Sequence, residues 1–386
     1  MKIDVMTKDK NKKTVVPALR FPEFRDAEGW EEKTLNKILN YERPDNYIVS
    51  NTNYSQQGTP VLTANKSFIL GYTEEEYGIC IDLPVVIFDD FTVDKKYVDF
   101  PFKVKSSAIK ILRPKDDDNL RFTFEVMNLI TFEAKEHKRY YISSYQTQKV
   151  FMPKSAEQTK IAKCLASLDD LINAVSDKIG ALKEYKKGLM QQLFPVKEKN
   201  TPLLRFPEFQ NAGEWEESTL GDICDMQAGK FVSASEICDV KKDTMYPCYG
   251  GNGLRGYTHS FTHFGIYPLI GRQGAQCGNI TYAEGKFHAT EHAVVVTLKK
   301  DIDIRWLYYQ LIKLDLNQYA TGQAQPGLSV DVIKKVTIRI PKNKNEQQLI
   351  ACGLFSVDEL ITTEIAKLDQ LKAHKKGLMQ QLFPKL

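Results

Sequence analysis

The chain has 386 residues, 42% of them hydrophobic and 26% charged, with 53 Lys/Arg against 49 Asp/Glu for a net charge of +4. That is the composition of ordinary globular domains, and it excludes a disordered or fibrous chain. No run of about 18 apolar residues occurs, and the start MKIDVMTKDKNKK lacks the apolar stretch of a signal peptide, so a cytoplasmic protein without a membrane partner is expected. The seven cysteines (Cys80, Cys164, Cys224, Cys238, Cys248, Cys277, Cys352) form no CxxC pair. A disulfide framework and a zinc site are both disfavoured, and reduced thiols are expected.

Residues 1–16 read as a flexible, lysine-rich tail. LRFPEF stands at residues 19–24 and Trp30-Glu31-Glu32 follows. Residues 17–153 read as a first mixed α/β globule, with β-type runs LPVVIF at 83–88 and AIKIL at 108–112 between turn residues. After Pro153-Lys154 comes a periodic segment, residues 154–194, then a linker over 195–203. The pieces then recur. LRFPEF returns at 204–209, Trp215-Glu216-Glu217 follows, and a second globule over 204–341 carries AVVVTL at 293–298 and VTIRI at 336–340. Pro341-Lys342 opens a second periodic segment over 342–386, and YKKGLMQQLFP at 185–195 reappears as HKKGLMQQLFP at 374–384. The chain is therefore two copies of one unit, with unlike inserts in a constant frame.

In the first periodic segment Ile161, Leu165, Leu168, Ile172, Val175, Ile179, Leu182, Leu189 and Leu193 recur at spacings of four and three, with Lys186 in the one missing slot. That is a coiled-coil seam. Ile350, Leu354, Val357, Ile361, Leu368, Leu371, Leu378 and Leu382 repeat the register, with Lys375 in place of Lys186 and Glu364 in place of Val175. Each helix would be about 55 to 60 Å long. Two matched seams in one chain predict that the helices pair with each other. If a pseudo-two-fold axis relates the copies, they pair antiparallel. Lys186 and Lys375 either set the register or extend their ammonium groups to solvent.

RFPEF, the Trp-Glu pair, a variable domain, a helix opening on Glu157-Gln158 or Glu346-Gln347, the Leu168-Asp169-Asp170-Leu171 step and the KKGLMQQLF ending together resemble the specificity subunit of a type I restriction-modification system. The resemblance spans nearly the whole chain, twice. It implies an α+β protein with two target recognition domains joined by two long antiparallel helices, each domain reading one half of a split, asymmetric site in double-stranded DNA. It implies that the helices set the unread gap and dock two methyltransferase (modification) subunits, with restriction/translocase subunits as further partners. S-adenosylmethionine, ATP and Mg would belong to those partners, and this chain would be a reader and not an enzyme.

The two inserts share a skeleton. PVLTAN at 60–65 lines up with PCYGGN at 247–252, GYT at 71–73 with GYT at 256–258, and LPVVI at 83–87 with YPLI at 267–270 across a one-residue gap. The polar loops that follow differ: FDDFT at 88–92 against GRQGAQ at 271–276. Arg bonds guanine O6 and N7, Gln or Asn bonds adenine N6 and N7, and Asp accepts from cytosine N4, so unlike loops predict a non-palindromic target. The candidate DNA contacts are Asn252, Arg255, Arg272, Gln273, Gln276, Gln323 and Gln325 in the second insert. In the first they are Asn65, Lys66, Asp89, Lys95, Lys96, Ser144, Tyr145, Gln146 and Gln148. Each could instead be a solvated turn residue.

GNGLRG at 251–256 matches a dinucleotide-loop pattern, but no helical periodicity follows it. HATEH at 288–292 matches a zincin string, but it runs into a strand-like segment and not a helix. No phosphate loop and no Asn/Asp-Pro-Pro-Tyr/Phe methyltransferase string occurs. A rival reading is a duplicated coiled-coil scaffold whose globules bind proteins or small molecules.

Overall fold

The structure is a computed structural model that describes residues 14–65, 67–196, 199–274, 276–322 and 326–385. The chain divides into two compact units, Met1–Ala174 with Leu368–Leu386, and Val175–Lys367. Each of the two long helices, Ser155–Leu193 and Lys344–Leu382, contributes one half to each unit.

In the first unit, strand Val85–Asp89 is paired on one side with Ile109–Pro114 and on the other with Lys95–Val98. Its side chains alternate between two cores, as a pleated strand covered on both faces requires. Val86 and Phe88 join the core under helix Leu120–Leu129, while Val85 and Ile87 join the opposite one, all four fully buried. A smaller sheet holds Ile69–Thr73, Thr59–Leu62 and Lys103–Val104. Two residues of the expected tail form a strand, Thr14–Val15, paired with Trp30 and Glu31; residues 1–13 lie outside the described residues.

The second unit repeats this plan with longer strands. Ile270, Val294 and Val296 face the core under helix Ile304–Lys313, while Leu269 and Val295 face the other side. Hairpin Tyr246–Gly250/Gly253–Thr258 copies Thr59–Leu62/Ile69–Thr73 down to the irregular step, which falls between Cys248 and Tyr249 in one and Val61 and Leu62 in the other.

The repeated strings of the sequence are the residues that join each globule to the helices. In the first unit, Arg20 forms a forked pair with Glu157 (2.7 and 2.6 Å), donates to the Ala27 and Glu28 carbonyls, and Trp30 Nε1 reaches Glu157 at 3.3 Å. In the second, Arg205 forks onto Glu346 (2.7 and 2.8 Å), and Trp215 Nε1 lies 3.2 Å from it. Gln158 and Gln347 each donate to the carbonyl of Pro153 or Pro341 and accept from Asn119 or Asp303, the cap of the short helix. A buried charge pair is tolerable only when its remaining donors and acceptors are met in this way. The LFP endings close the same junction: Phe383 packs on Trp30 and Phe122, and Phe194 on Trp215 and Trp306. Leu19 N donates to Gln381 O just as Leu204 N donates to Gln192 O, both at 2.9 Å. The bond made across the linker in the second unit is thus made between the two chain ends in the first.

The seam residues of both helices are all buried or half-buried. Within the second unit Lys178 pairs with Glu364 (2.5 Å) and Lys186 with Asp358 (2.7 Å), so these halves run antiparallel. Within the first unit Lys375 pairs with Asp169 at 2.7 Å, the reciprocal contact, its lysine 189 residues after Lys186 and its aspartate 189 residues before Asp358. The two lysines in the seams therefore lock the register across the helix pair. Glu364, at the seam break, is held below the usual carboxylate range by its hydrogen bond from Lys178.

Candidate nucleic-acid interface

In the second unit, three loops and a turn converge at the end of strand His263–Gly271. Gly251, at the tip of the hairpin, lies so close to Gly271 that a Cβ on the latter would fall 1.8 Å from the Gly251 carbonyl oxygen. A Cβ on Gly251 would itself meet Gln273 O and His292 O at 3.3 and 3.2 Å, so only glycine permits this crossing. Arg272 N donates to His292 O (3.0 Å) and Arg272 O accepts from Leu328 N (2.9 Å). Gly274 N donates to Pro326 O, and Gln273 bridges to Gly327.

This arrangement places Asn252, Arg272 and Gln273 in one cluster, with Asn252 and Gln273 exposed and Arg272 half-buried. Arg255 is exposed on the adjoining strand Gly253–Thr258, its Cδ 3.7 Å from where a Cβ on Gly250 would stand. Gln276 is exposed in the same loop as Gln273, and its carbonyl accepts from Asn279 N. Gln323 and Gln325 lie outside the described residues. Thr290, Glu291 and His292 form the turn beneath the cluster, and sequence reasoning misses them because they read only as part of a metal string. His288 of that string is spent on Ser260 Oγ and Lys230 O, both at 3.1 Å. No group of three or more metal-ligating side chains occurs among the described residues.

The same backbone bonds build the first unit's corner. Asp90 N donates to Ala108 O (2.9 Å), as Arg272 N does to His292 O, and Asp90 O accepts from Tyr140 N (2.8 Å), as Arg272 O does from Leu328 N. The counterpart of Arg272 is therefore Asp90, one residue beyond the expected Asp89. The Asp89 carboxylate accepts from Phe91 N and Thr92 N (2.9 and 3.0 Å) and shapes the turn. Asp90 is also engaged within the unit, accepting from Tyr141 N at 2.8 Å and facing Lys110 at 3.3 Å, with both side chains buried.

Asn65 is exposed at its hairpin tip, as Asn252 is; Lys66 lies outside the described residues. Lys96 Nζ stands 6.0 Å from the ring of Phe68 beside that tip. Lys95 Nζ stands 5.8 Å from the Tyr145 ring, and burial pulls its ammonium below the usual lysine range. The segment with Ser144, Tyr145, Gln146 and Gln148 falls elsewhere in the plan. Gln148 O accepts from Leu35 N as Val336 O accepts from Leu220 N, so this segment corresponds to the short helix Val330–Lys334 and the turn after it. Tyr145 is fully buried, its phenol pushed up by burial, and takes the place of buried Ile333; a side chain sealed in the core reaches no ligand. Ser144 and Gln146 bond their own loop's carbonyls. What stands before the Tyr140 anchor, as residues 321–327 stand before Leu328, is residues 133–139. There His137 stacks on Phe91 at 4.7 Å, and the Arg139 guanidinium lies 5.7 Å from the same ring.

Among the described residues no helix is long and apolar enough to cross a membrane, and all seven cysteines are free. The family model described as "Type I restriction modification DNA specificity domain" matches residues 212–373. The type I restriction enzyme EcoprrI specificity subunit of Escherichia coli is 40% identical over 172 residues, 44% of this chain and 42% of that protein. The EcoR124I/EcoR124II specificity subunit of Escherichia coli is 36% identical over 217 residues, 53% and 50% of the two. The chain spans about half the length of these curated relatives. The solved S subunit of a type I restriction-modification system from M. genitalium shares the fold at a TM-score of 0.72 and 17% identity, over 96% of this chain and 100% of that one.

Proposed function

We propose that this chain, which belongs to the family of type I restriction-modification specificity subunits, reads double-stranded DNA for a modification and restriction complex and carries no chemistry of its own. The observation that carries the reading is one frame holding two unlike corners. The same clamp, hairpin and backbone bonds hold a closed, buried Asp90 in one unit and a part-exposed Arg272 with exposed Gln273 in the other. Each unit reads one half of a bipartite, non-palindromic site. Asn252, Arg255, Arg272, Gln273, Gln276, Gln323 and Gln325 serve the second half, and Asn65, Lys66, Lys95 and Lys96 the first. The paired helices set the unread gap between the halves. The repeated helix ends and clamps offer equivalent docking places for two methyltransferase subunits, and restriction subunits join that assembly.

The test is to express the chain with a type I modification subunit and map methylated positions across a genome. Methylation confined to one split, asymmetric sequence supports the reading. A complex that forms yet methylates no defined sequence, or two half-sites that are reverse complements, would overturn it.

A further inference from the structure

Three buried polar atoms in the second unit's corner have no hydrogen-bond partner among the described residues: Arg272 Nε, Glu291 Oε2 and His292 Nδ1. They belong to residues that adjoin each other, since Arg272 N bonds His292 O and the Glu291 carboxylate folds back to His292 Nε2 at 3.3 Å. A buried donor or acceptor left unmade is costly, and native proteins leave few. The three side chains are themselves part exposed, so a partner arriving from outside meets their outer atoms and can draw the unmet ones into bonds. The first unit is the internal control. Its equivalent corner is closed by its own residues, Asp90 being met by Lys110 and the Tyr141 amide. At the Lys110 position the second unit has the uncharged Val294.

The free groups are unlike in kind. Arg272 offers donors in a fixed fork, and no carboxylate pairs with it among the described residues, while Glu291 offers an acceptor. In the major groove guanine presents two acceptors, O6 and N7, and cytosine presents the N4 amino donor, so a G·C pair is the complement of this set. We propose that Arg272 and Glu291 together read one G·C pair of the second half-site, Arg272 taking the guanine and Glu291 the cytosine amino group. His292 is the positioning residue: its Nε2 lies 3.3 Å from Glu291 Oε1 and sets how the part-exposed carboxylate is turned. The inference rests on the DNA-reading function above and adds two residues and a base pair to it. Arg and Glu are strongly hydrated when free, and the close Gly251–Gly271 crossing keeps this corner narrow, so the groups are held ready before DNA arrives.

The experiment uses the full chain assembled with its modification subunits, and compares methylation across a library randomised at the second half-site. Arg272→Ala, Glu291→Gln and His292→Ala should each relax the same single position, a G·C pair in the unaltered complex. Loss of discrimination there should be roughly 5- to 150-fold for Arg272→Ala. Glu291→Gln keeps the shape of the turn and separates reading from folding. Relaxation at different positions, relaxation at an A·T pair, or a loss uniform over all sequences would overturn the proposal while leaving the unaltered complex specific. An unaltered complex with no sequence preference would instead sink the DNA-reading function itself.

Discussion

The corner after the central strand is built alike in the two units and finished in opposite ways. In the first, Asp90 is spent on Lys110 and the Tyr141 amide, and the side chains are buried. In the second, Arg272 keeps its backbone bonds but its Nε has no partner among the described residues. The frame is thus specified by backbone hydrogen bonds and the junction clamp, and the side chain at the corner is free to be structural in one copy and available in the other. A duplicated unit can diverge in what it presents without altering how it is held.

The clamp is where the two units should behave alike. Arg20→Ala and Arg205→Ala each strand a buried glutamate, and each should cost about 3 to 5 kcal/mol of its own unit's stability. Hydrogen exchange, read separately over the two units, measures this. Strongly unequal losses would show that the repeated strings do different work in the two copies.

The corner is where they should differ. Lys110→Ala leaves Asp90 buried without its cation and should destabilise the first unit by about 3 kcal/mol. Arg272→Ala removes no internal ion pair and relieves an unmet buried donor, so it should not destabilise the second unit. Denaturant unfolding of both variants is the check, and equal losses would erase the contrast.

Much of the frame is legible because it is repeated and periodic. The seam residues from Ile161 to Leu382 are all buried or half-buried, and the antiparallel pairing follows from a two-fold relation between the copies. The corner is harder. Matching LPVVI to YPLI by string puts Asp89 opposite Arg272, while the pairing Asp89↔Ile109 and Gly271↔Ala293 puts Asp90 there. The string SSYQTQ resembles a reading loop because it is polar. Counting back eight residues from Pro153 and Pro341 sets Tyr145 against Ile333, a core position, and moves attention to residues 133–139. Side-chain closure, as at Asp90, leaves no trace in a linear sequence, since Lys110 and Tyr141 are brought to it only by the fold.

Residues 133–139 set the two units apart in charge as well. They carry Lys135, His137, Lys138 and Arg139 against Glu133 and Glu136, which pair with Lys135 and Lys138 at 3.2 and 2.7 Å. Arg139 is left as the surplus cation, whereas residues 321–327 in the second unit carry no Lys or Arg. The first unit should therefore hold DNA more through phosphate than the second does. In the assembled complex, Lys138→Gln with Arg139→Gln should lower the slope of log affinity against log salt by about 0.9 for each phosphate that the variant no longer neutralises. Substituting Ser144 and Gln146 should leave the slope unchanged, and the reverse outcome would restore the polar string as the phosphate-binding segment.

The smallest effect concerns the seam lysines. Lys186 pairs with Asp358, which also accepts from Tyr309 OH at 2.7 Å, whereas Lys375 pairs with Asp169, which also faces Arg121. Asp358 thus retains a neutral donor when its lysine is removed, and Asp169 retains a cation. A double-mutant cycle on Lys186 and Asp358 should give a coupling of roughly 0.5 to 1 kcal/mol, because the pair is partly exposed. The cycle on Lys375 and Asp169 should give less, since Arg121 takes over the carboxylate. A larger coupling at Lys375 would mean that Arg121 serves its neighbour Glu125 instead, 3.1 Å away, and that the lysine alone holds the register in that half.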